Sequence, residues 1–491
     1  MILSKKRKLI LGVAVLLLAL IFTGCSGDSN STEGSGIIDE INHPDFVIEN
    51  DSDPTVFSVK TTANNPTYQW VVENSELAEF TDATEKESYL NPTSEGIKVG
   101  QVNIQVKVND TVSQKIEVAL LGEKHENTYG GDGSDQFHAI IATKDMNNKG
   151  YIAAGYKQVA DKTAKHEYEK DAFVARADKR GVTDWTNTVD GSGDSIDNEP
   201  ADDRFMAIED ITKFGFKDEY FVIGYQWTTN EQYEGYIMRV NRDGELNNEY
   251  TDLRGDNVFL RSAVLNDYLI VVGNEGSKSG ANGYIAKIDP EKNEDAIKKR
   301  FSVTGKDYTR LTSVEKTNDD KYVITAFAGV DSNTTNAYFV KLDSTLDVDN
   351  PLKEIKIKHN DNSIKRLYSI EPTSDGNYVV VGSTNDGNGF MAKVDSDGNH
   401  EFTKEYKDVT AVRDVVERHD NNGYILVSND GSVVKTDNQG AQSDVVTLAD
   451  NLRSVTQSAD GNNNYLVAGR KDNDAYAAKL NDNLAKVNRI Q

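Results

Sequence analysis

The sequence predicts an all-β protein: a small β-sandwich followed by a seven-bladed β-propeller. Three observations carry this. Short runs of alternating apolar and polar residues fill 37–122, and a tyrosine-led hydrophobic segment recurs seven times across 123–491. Only 8 prolines, with Tyr, Val and Ile spread along the chain, point to folded β structure rather than disorder.

The chain begins with a processing signal. Lys5, Lys6, Arg7 and Lys8 form a positive segment, and Leu9 to Phe22 is a run of 14 residues without a polar side chain. That is short for a membrane span. Phe22-Thr23-Gly24-Cys25 follows, and small residues before a cysteine at this place resemble the bacterial lipobox. Phe22 stands where Leu is usual. The resemblance implies cleavage before Cys25 and lipidation of that cysteine, hence a protein held at the cell membrane or outer membrane and facing away from the cytoplasm. Cys25 is the single cysteine, so no intramolecular disulfide is possible, and a lone thiol at the signal boundary is best explained by lipidation. Residues 26–36 (SGDSNSTEGSG) read as a flexible tether, with a reach of roughly 17–20 Å.

The whole chain carries a net charge of −26. Removing residues 1–24 takes away four basic residues and no carboxylate, leaving 50 basic against 80 acidic residues, a charge of −30. Such a surface repels phosphate backbones, so a nucleic-acid partner is not expected. Most of the acidity serves solubility.

Within 37–122, Val56-Phe57-Ser58-Val59, Tyr68 to Val72, Val102 to Val108 and Ile116 to Leu120 alternate with period two between turn residues. They read as half-buried antiparallel strands of a sandwich. The Y-x-W of Tyr68–Trp70 and the late Val102–Asp110 strand resemble bacterial immunoglobulin-like or PKD-like modules, without the paired cysteines of antibody domains. The resemblance implies a stalk, with Trp70 in its core.

The repeat of 123–491 opens on Tyr151, Tyr220, Tyr268, Tyr322, Tyr378, Tyr424 and Tyr465, 41 to 69 residues apart. A second strand follows with an aromatic, a base three residues on and Asp or Asn two further, as in Phe390/Lys393/Asp395; one copy has Ser432 in place of the aromatic. Adding an entry strand and a polar last strand gives four strands per unit, seven times, hence seven blades. The units resemble a repeat of bacterial surface lipoproteins, roughly T-x-D-G-G-Y-I-V-A-G … D-Y-V-V-K-L-D-x-x-G. That resemblance speaks for fold and leaves the reaction, if any, unassigned. Both 125–134 and Leu484 to Ile490 could be the last outer strand. The shorter loop favours the C-terminal segment completing its own blade.

Aligned, the seven entry strands place Ala139, Ala207, Arg261, Arg310, Arg366, Arg413 and Arg453 at one level, with a one-residue gap before Arg413. An Asp precedes each: Asp135, Asp203, Asp256, Asp307, Asp361, Asp408 and Asp450. Two readings stay open. The arginines grip an anionic ligand at the channel mouth, or each pairs with an Asp or a carbonyl of a neighbouring blade. The loops after the tyrosine strands carry Tyr156, His166, Tyr168, Tyr225, Trp227 and Tyr233, expected as exposed aromatics suited to a sugar or a protein, or as covers for the blade edge.

No catalytic residue, cofactor or metal set stands out. The 7 histidines are scattered. The Asp145–Gly150 stretch lacks the ligands of a calcium loop, and Asp395-Ser-Asp397-Gly398 reads as a turn. There is no sialidase box, and three tryptophans are too few for a quinone-dehydrogenase propeller. The expected protein is a monomeric, lipid-anchored binding protein with a protein or glycan ligand. The alternatives are a polysaccharide-acting enzyme of hydrolase or lyase type, or a scaffold subunit of an envelope complex.

Overall fold

In a computed structural model the chain divides after Gly122 into two compact units. Described are residues 30–33, 38–43, 46–48, 56–92, 101–113, 115–121 and, within 126–484, all but 132, 144–149, 161–167, 179–180, 191–201, 217, 229–231, 254–257, 266, 277–279, 290–296, 333, 360–361 and 460–462. Cys25 and the expected signal segment lie outside them; of the expected flexible tether 26–36, residues 30–33 are described, and they form a strand, because their backbone pairs with Ile38–His43.

In the first unit, Ile38–His43 pairs with Asn30–Glu33 and Phe57–Thr61, and Gln101–Val108 pairs with Ile116–Leu121 and Tyr68–Val72. Both sheets feed one core. Ile41, Phe57 and Val59 come from the first, and Trp70, Ile104, Val106 and Val118 from the second. Period-two alternation makes this possible, because every second side chain of Gln101–Val108 points inward. Trp70 is buried against Phe57 and Phe80, and its indole N–H donates to the Glu85 carbonyl at 3.0 Å.

The second unit is a repetition of antiparallel sheets. Among the described residues there are seven, opening on the strands Gln136–Ala142, Arg204–Asp210, Val258–Leu265, Tyr308–Lys316, Asn362–Pro372, Val412–Glu417 and Asn451–Gln457. Each opening strand pairs with the apolar strand that the tyrosine announces, which is buried throughout in the Tyr378–Thr384 case. Each opening strand also packs beside the next, and the last packs beside the first, so the succession closes on itself. Apolar clusters fill the space between adjacent sheets; one joins Ile152 and Val174 of the first to Phe205 and Val222 of the second.

The seventh sheet corrects one expectation. Its outer strand is Glu126–Tyr129, which pairs antiparallel with Asp474–Leu480. The outer place expected for the C-terminal segment is thus taken by Glu126–Tyr129; residues 485–490 lie outside the described residues. Loop entropy favoured the local hairpin, but the cost of a longer loop grows only logarithmically. The opening strand of the first sheet already lies against Asn451–Gln457 and Tyr465–Lys471, so Glu126–Tyr129 is carried to the edge at little extra cost. Once there, Tyr129 packs edge-on against Phe137, and Asn127 donates to the Tyr151 hydroxyl and the Gly181 carbonyl, both at 2.6 Å.

The repeated aromatic–base–Asp pattern proves structural. The carboxylate or amide oxygen caps the hairpin turn after it: Asp395 Oδ1 accepts from Asp397 and Asn399 N–H at 2.9 and 2.8 Å, and Asp437 repeats this with Gln439 and Ala441. The base crosses to the next sheet, Lys341 donating to the Ser396 carbonyl and Lys435 to that of Asp482.

Candidate functional site: an arginine-lined end of the ring

Every opening strand carries one irregularity of register, a β-bulge that re-aims side chains. The bulged residues are His138, Met206, Arg261, Thr312, Arg413 and Arg453, with Tyr368 in the fifth strand, which slips a second time at Lys365. Flanking residues such as Leu311 and Val314 are fully buried between sheets, whereas Arg310, Thr312 and Glu315 keep partial exposure. The partly exposed set is therefore the one turned toward the centre of the ring.

The bulges also correct the alignment of the arginines. Arg261, Arg413 and Arg453 share a level with His138 and Tyr368, whereas Arg310 and Arg366 lie two residues nearer the strand start, level with Arg204. Arg204 was invisible to an alignment by counting, which took Ala207 for its blade. His138 was hidden behind Ala139 in the same way.

The two readings of the arginines can now be weighed. Arg204 is bidentate on Asp202, at 2.6 and 2.7 Å. Among the described residues no carboxylate pairs with Arg261, Arg310, Arg366, Arg413 or Arg453. Their partners are neutral. Arg261 donates to Asn274 Oδ1 at 3.2 Å and Arg413 to Asn429 Oδ1 at 3.0 Å, while Arg413, Arg366 and Arg310 lie over the rings of Tyr368, Phe327 and Tyr308 at 4.0, 5.1 and 5.4 Å. The Nε atoms of Arg310, Arg366, Arg413 and Arg453 are buried without a hydrogen-bond partner.

The preceding aspartates do other work. Asp135 and Asp203 accept from the backbone N–H of Gln158 and Trp227, and Asp450 from that of Asp472, clamping the tyrosine strand or the turn after it. Asp307 and Asp408 are exposed, and Asp256 and Asp361 lie outside the described residues.

The electrostatics follow from this gathering of like charges. Burial and the charge of Arg413 push the Arg453 guanidinium down to about 9, and burial with Arg310 pushes Arg261 down to about 10. Burial and the charges of Arg204, Arg453, Arg413 and Arg261 hold the His138 imidazole well below its ordinary value. Tyr368 goes against its burial: Arg413, a bond to Ser383 and Arg366 bring its phenol below the usual tyrosine range. A chain of amides steadies the cluster, running from Gln136 to Asn451 at 2.7 Å, from Asn451 to Asn429 at 2.8 Å, and so to Arg413.

The aromatics are corrected as well. Tyr156, Tyr225 and Trp227 are buried members of strands rather than exposed loop residues. The tyrosine strands of the first two sheets run longer than counted, and their rings interleave, Tyr225 meeting Phe259 at 5.0 Å and Trp227 meeting Tyr233 at 4.9 Å. Tyr156 lies beneath Arg204 at 4.5 Å and beside His138 at 5.6 Å, so it belongs to the arginine cluster. His166 and the side chain of Tyr168 lie outside the described residues.

Two carboxylate groupings escaped the sequence. Glu209, Glu315 and Glu371 share a level three residues past the bulge, toward the other end of the opening strands. Burial, then Asp414 and Glu417, pushes Glu371 up to about 8; burial and Glu371 drive Glu315 well above the carboxylate range. Separately, Glu169, Asp171 and Asp190 bring one oxygen each within 4.8 Å of one another, a spacing that could hold a cation. Spacing in sequence could not reveal it, because Asp190 lies just past the end of the next strand, Thr183–Val189.

No protein-family model matches the sequence, and no curated protein matches it. Among solved structures, the chain is similar to the WD40 beta propeller domain of Doa1 at 14% identity, over 73% of this chain and 95% of that one, with a TM-score of 0.46. It is similar to Raptor of Chaetomium thermophilum at 10% identity, over 74% of this chain and 30% of that one, with a TM-score of 0.50. Identities this low bear on fold alone, and the strand order agrees with it: the protein is an all-β chain of repeated four-stranded sheets with a β-propeller fold.

Proposed function

We propose that this is a lipid-anchored recognition protein, displayed outside the cytoplasm on a short tether and an immunoglobulin-like stalk, whose seven-bladed propeller binds an anionic ligand at the arginine-lined end of its channel. The observation that carries the reading is the set of five guanidiniums that have no carboxylate partner among the described residues. Gathering like charges costs folding energy, and a chain of net charge −26 has carboxylates to spare for neutralising them. Leaving them unpaired makes sense for a site whose counter-ion arrives as ligand. The seven opening strands and their closed succession support the blade count, and Phe22-Thr23-Gly24-Cys25 supports the anchor.

Calorimetric titration of the full-length protein in detergent with citrate, sulfate, phosphate and acetate tests the binding. The expected result is saturable binding of at least one multivalent anion, lost in Arg413→Gln/Arg453→Gln; a wild-type protein that binds none of them refutes it. For the anchor, Cys25→Ser is expected to abolish incorporation of a palmitate analogue.

A polysaccharide-cleaving reading finds one observation in its favour, the raised carboxyls of Glu315 and Glu371. It requires Glu371→Gln to abolish turnover of a cell-wall glycan.

A further inference from the structure

Among the described residues, His138 is the histidine that stands among the arginines. It occupies the bulge of the first opening strand, at the level of Arg261, Arg413 and Arg453. Charged groups bear on it from the elements around it: Arg204 from the second sheet, Arg261 from the third, Arg413 from the sixth and Arg453 from the seventh. The Tyr156 ring lies beside it at 5.6 Å. Its Nε2 is buried and has no hydrogen-bond partner. A buried polar atom left so is costly, and it needs a reason.

We propose that the anion held at this end is a doubly charged tetrahedral oxyanion, the terminal phosphoryl group of a phosphate monoester or free phosphate, gripped by Arg413, Arg453 and Nε2 of His138, with one proton taken up from solvent as it binds. This rests on the anion-binding reading above and narrows it. Two observations favour a tetrahedral dianion over a carboxylate. Arg261, Arg413 and Arg453 share the bulge level of His138 on three other opening strands of the closed succession, so donors face this end from several directions. A tetrahedral group offers oxygens in all of them, whereas a planar carboxylate is matched by a single forked arginine. The charge to be met is also large, because five guanidiniums have no carboxylate partner among the described residues.

The proton follows from the same geometry. With the site empty, burial and the surrounding positive charge keep the imidazole neutral, so Nε2 can be left without a hydrogen. A dianion reverses the local field. Protonation then turns both ring nitrogens into donors, and Nε2–H donates to a phosphoryl oxygen.

The test uses sulfate, which stays doubly charged between pH 5.5 and 8.5, so that any proton taken up must go to the protein. Titration of the full-length protein in two buffers of different ionisation heat is expected to show uptake approaching one proton. Affinity is expected to fall by up to about tenfold per pH unit across the window between the empty and occupied imidazole. His138→Gln is expected to bind sulfate without that slope. The wild-type protein supplies a check that does not depend on the variant folding: one histidine resonance should titrate near neutral pH with sulfate present and not without it. Sulfate binding with no proton uptake and no such resonance overturns the role of His138 while leaving the anion site standing. Binding of citrate but of neither sulfate nor phosphate overturns the phosphoryl class, again leaving the anion site. No arginine-dependent binding of any of the three removes both. Inorganic phosphate and glucose 6-phosphate, compared side by side, separate the two sources. Tighter binding of the ester supports a monoester ligand, and binding of inorganic phosphate alone supports the free ion.

Discussion

Replacing Glu371 by Gln keeps the size and shape of a side chain that sits among other carboxyls while removing its charge. In the unfolded chain the carboxyl titrates near 4.5; in the folded protein, burial with Asp414 and Glu417 pushes it up to about 8. Between those values the unfolded state is ionised and the folded state holds the proton, so unfolding releases a proton and stability falls as pH rises. The slope is about 1.4 kcal/mol per pH unit, and across the whole interval the loss has a ceiling of about 5 kcal/mol. Above pH 8 the loss is complete and flat. Glu371→Gln is therefore expected to match the wild type near pH 4.5 and to gain progressively on it up to pH 8. Glu315 strengthens the effect, because its own carboxyl is raised partly by Glu371. Thermal or urea unfolding followed at pH 4.5, 6, 7 and 8.5 reads the difference directly. Parallel curves for the two proteins across that range, or a variant less stable than wild type at pH 8.5, would refute the carboxyl cluster.

Other outcomes are equally checkable. A Cβ on Gly382 would lie 1.9 Å from the Arg366 carbonyl oxygen, so Gly382→Ala should cost about 1–3 kcal/mol and lower the unfolding temperature. Tyr129→Ala empties a buried place beside Phe137 at the closing strand and should destabilise by about 3 kcal/mol, with faster hydrogen exchange along Asp474–Leu480. Trp227→Ala, by contrast, removes a buried ring rather than an exposed one. It should lower stability without a direct loss of sulfate affinity, as scanning calorimetry and titration would separate.

Much of the fold could be read from the chain because its units repeat. Seven tyrosine-led segments mark the sheets, and the expected turn at Asp395–Gly398 is present, capped by the Asp395 carboxylate. What could not be read was anything that depends on closure or on a bulge. The choice of Glu126–Tyr129 over the C-terminus rests on proximity supplied by the closed succession itself, which local loop entropy does not contain. The arginines were visible by type, but one-residue slips at His138, Met206 and Arg261 shift the levels, so Arg204 and His138 were passed over. Tyr156 and Tyr225 were misplaced for a related reason: nothing in a run of mixed polar and aromatic residues announces that a strand continues and buries them.

The central claim, an anion seated among unpaired guanidiniums, is tested most directly by locating one. Crystals of the full-length protein soaked in selenate, a tetrahedral dianion with a strong anomalous signal, should show a peak within hydrogen-bond reach of Arg413 and Arg453 that disappears in Arg413→Gln/Arg453→Gln. Selenate found only on the outer surface, with the arginines turned away from one another and empty between them, would contradict it.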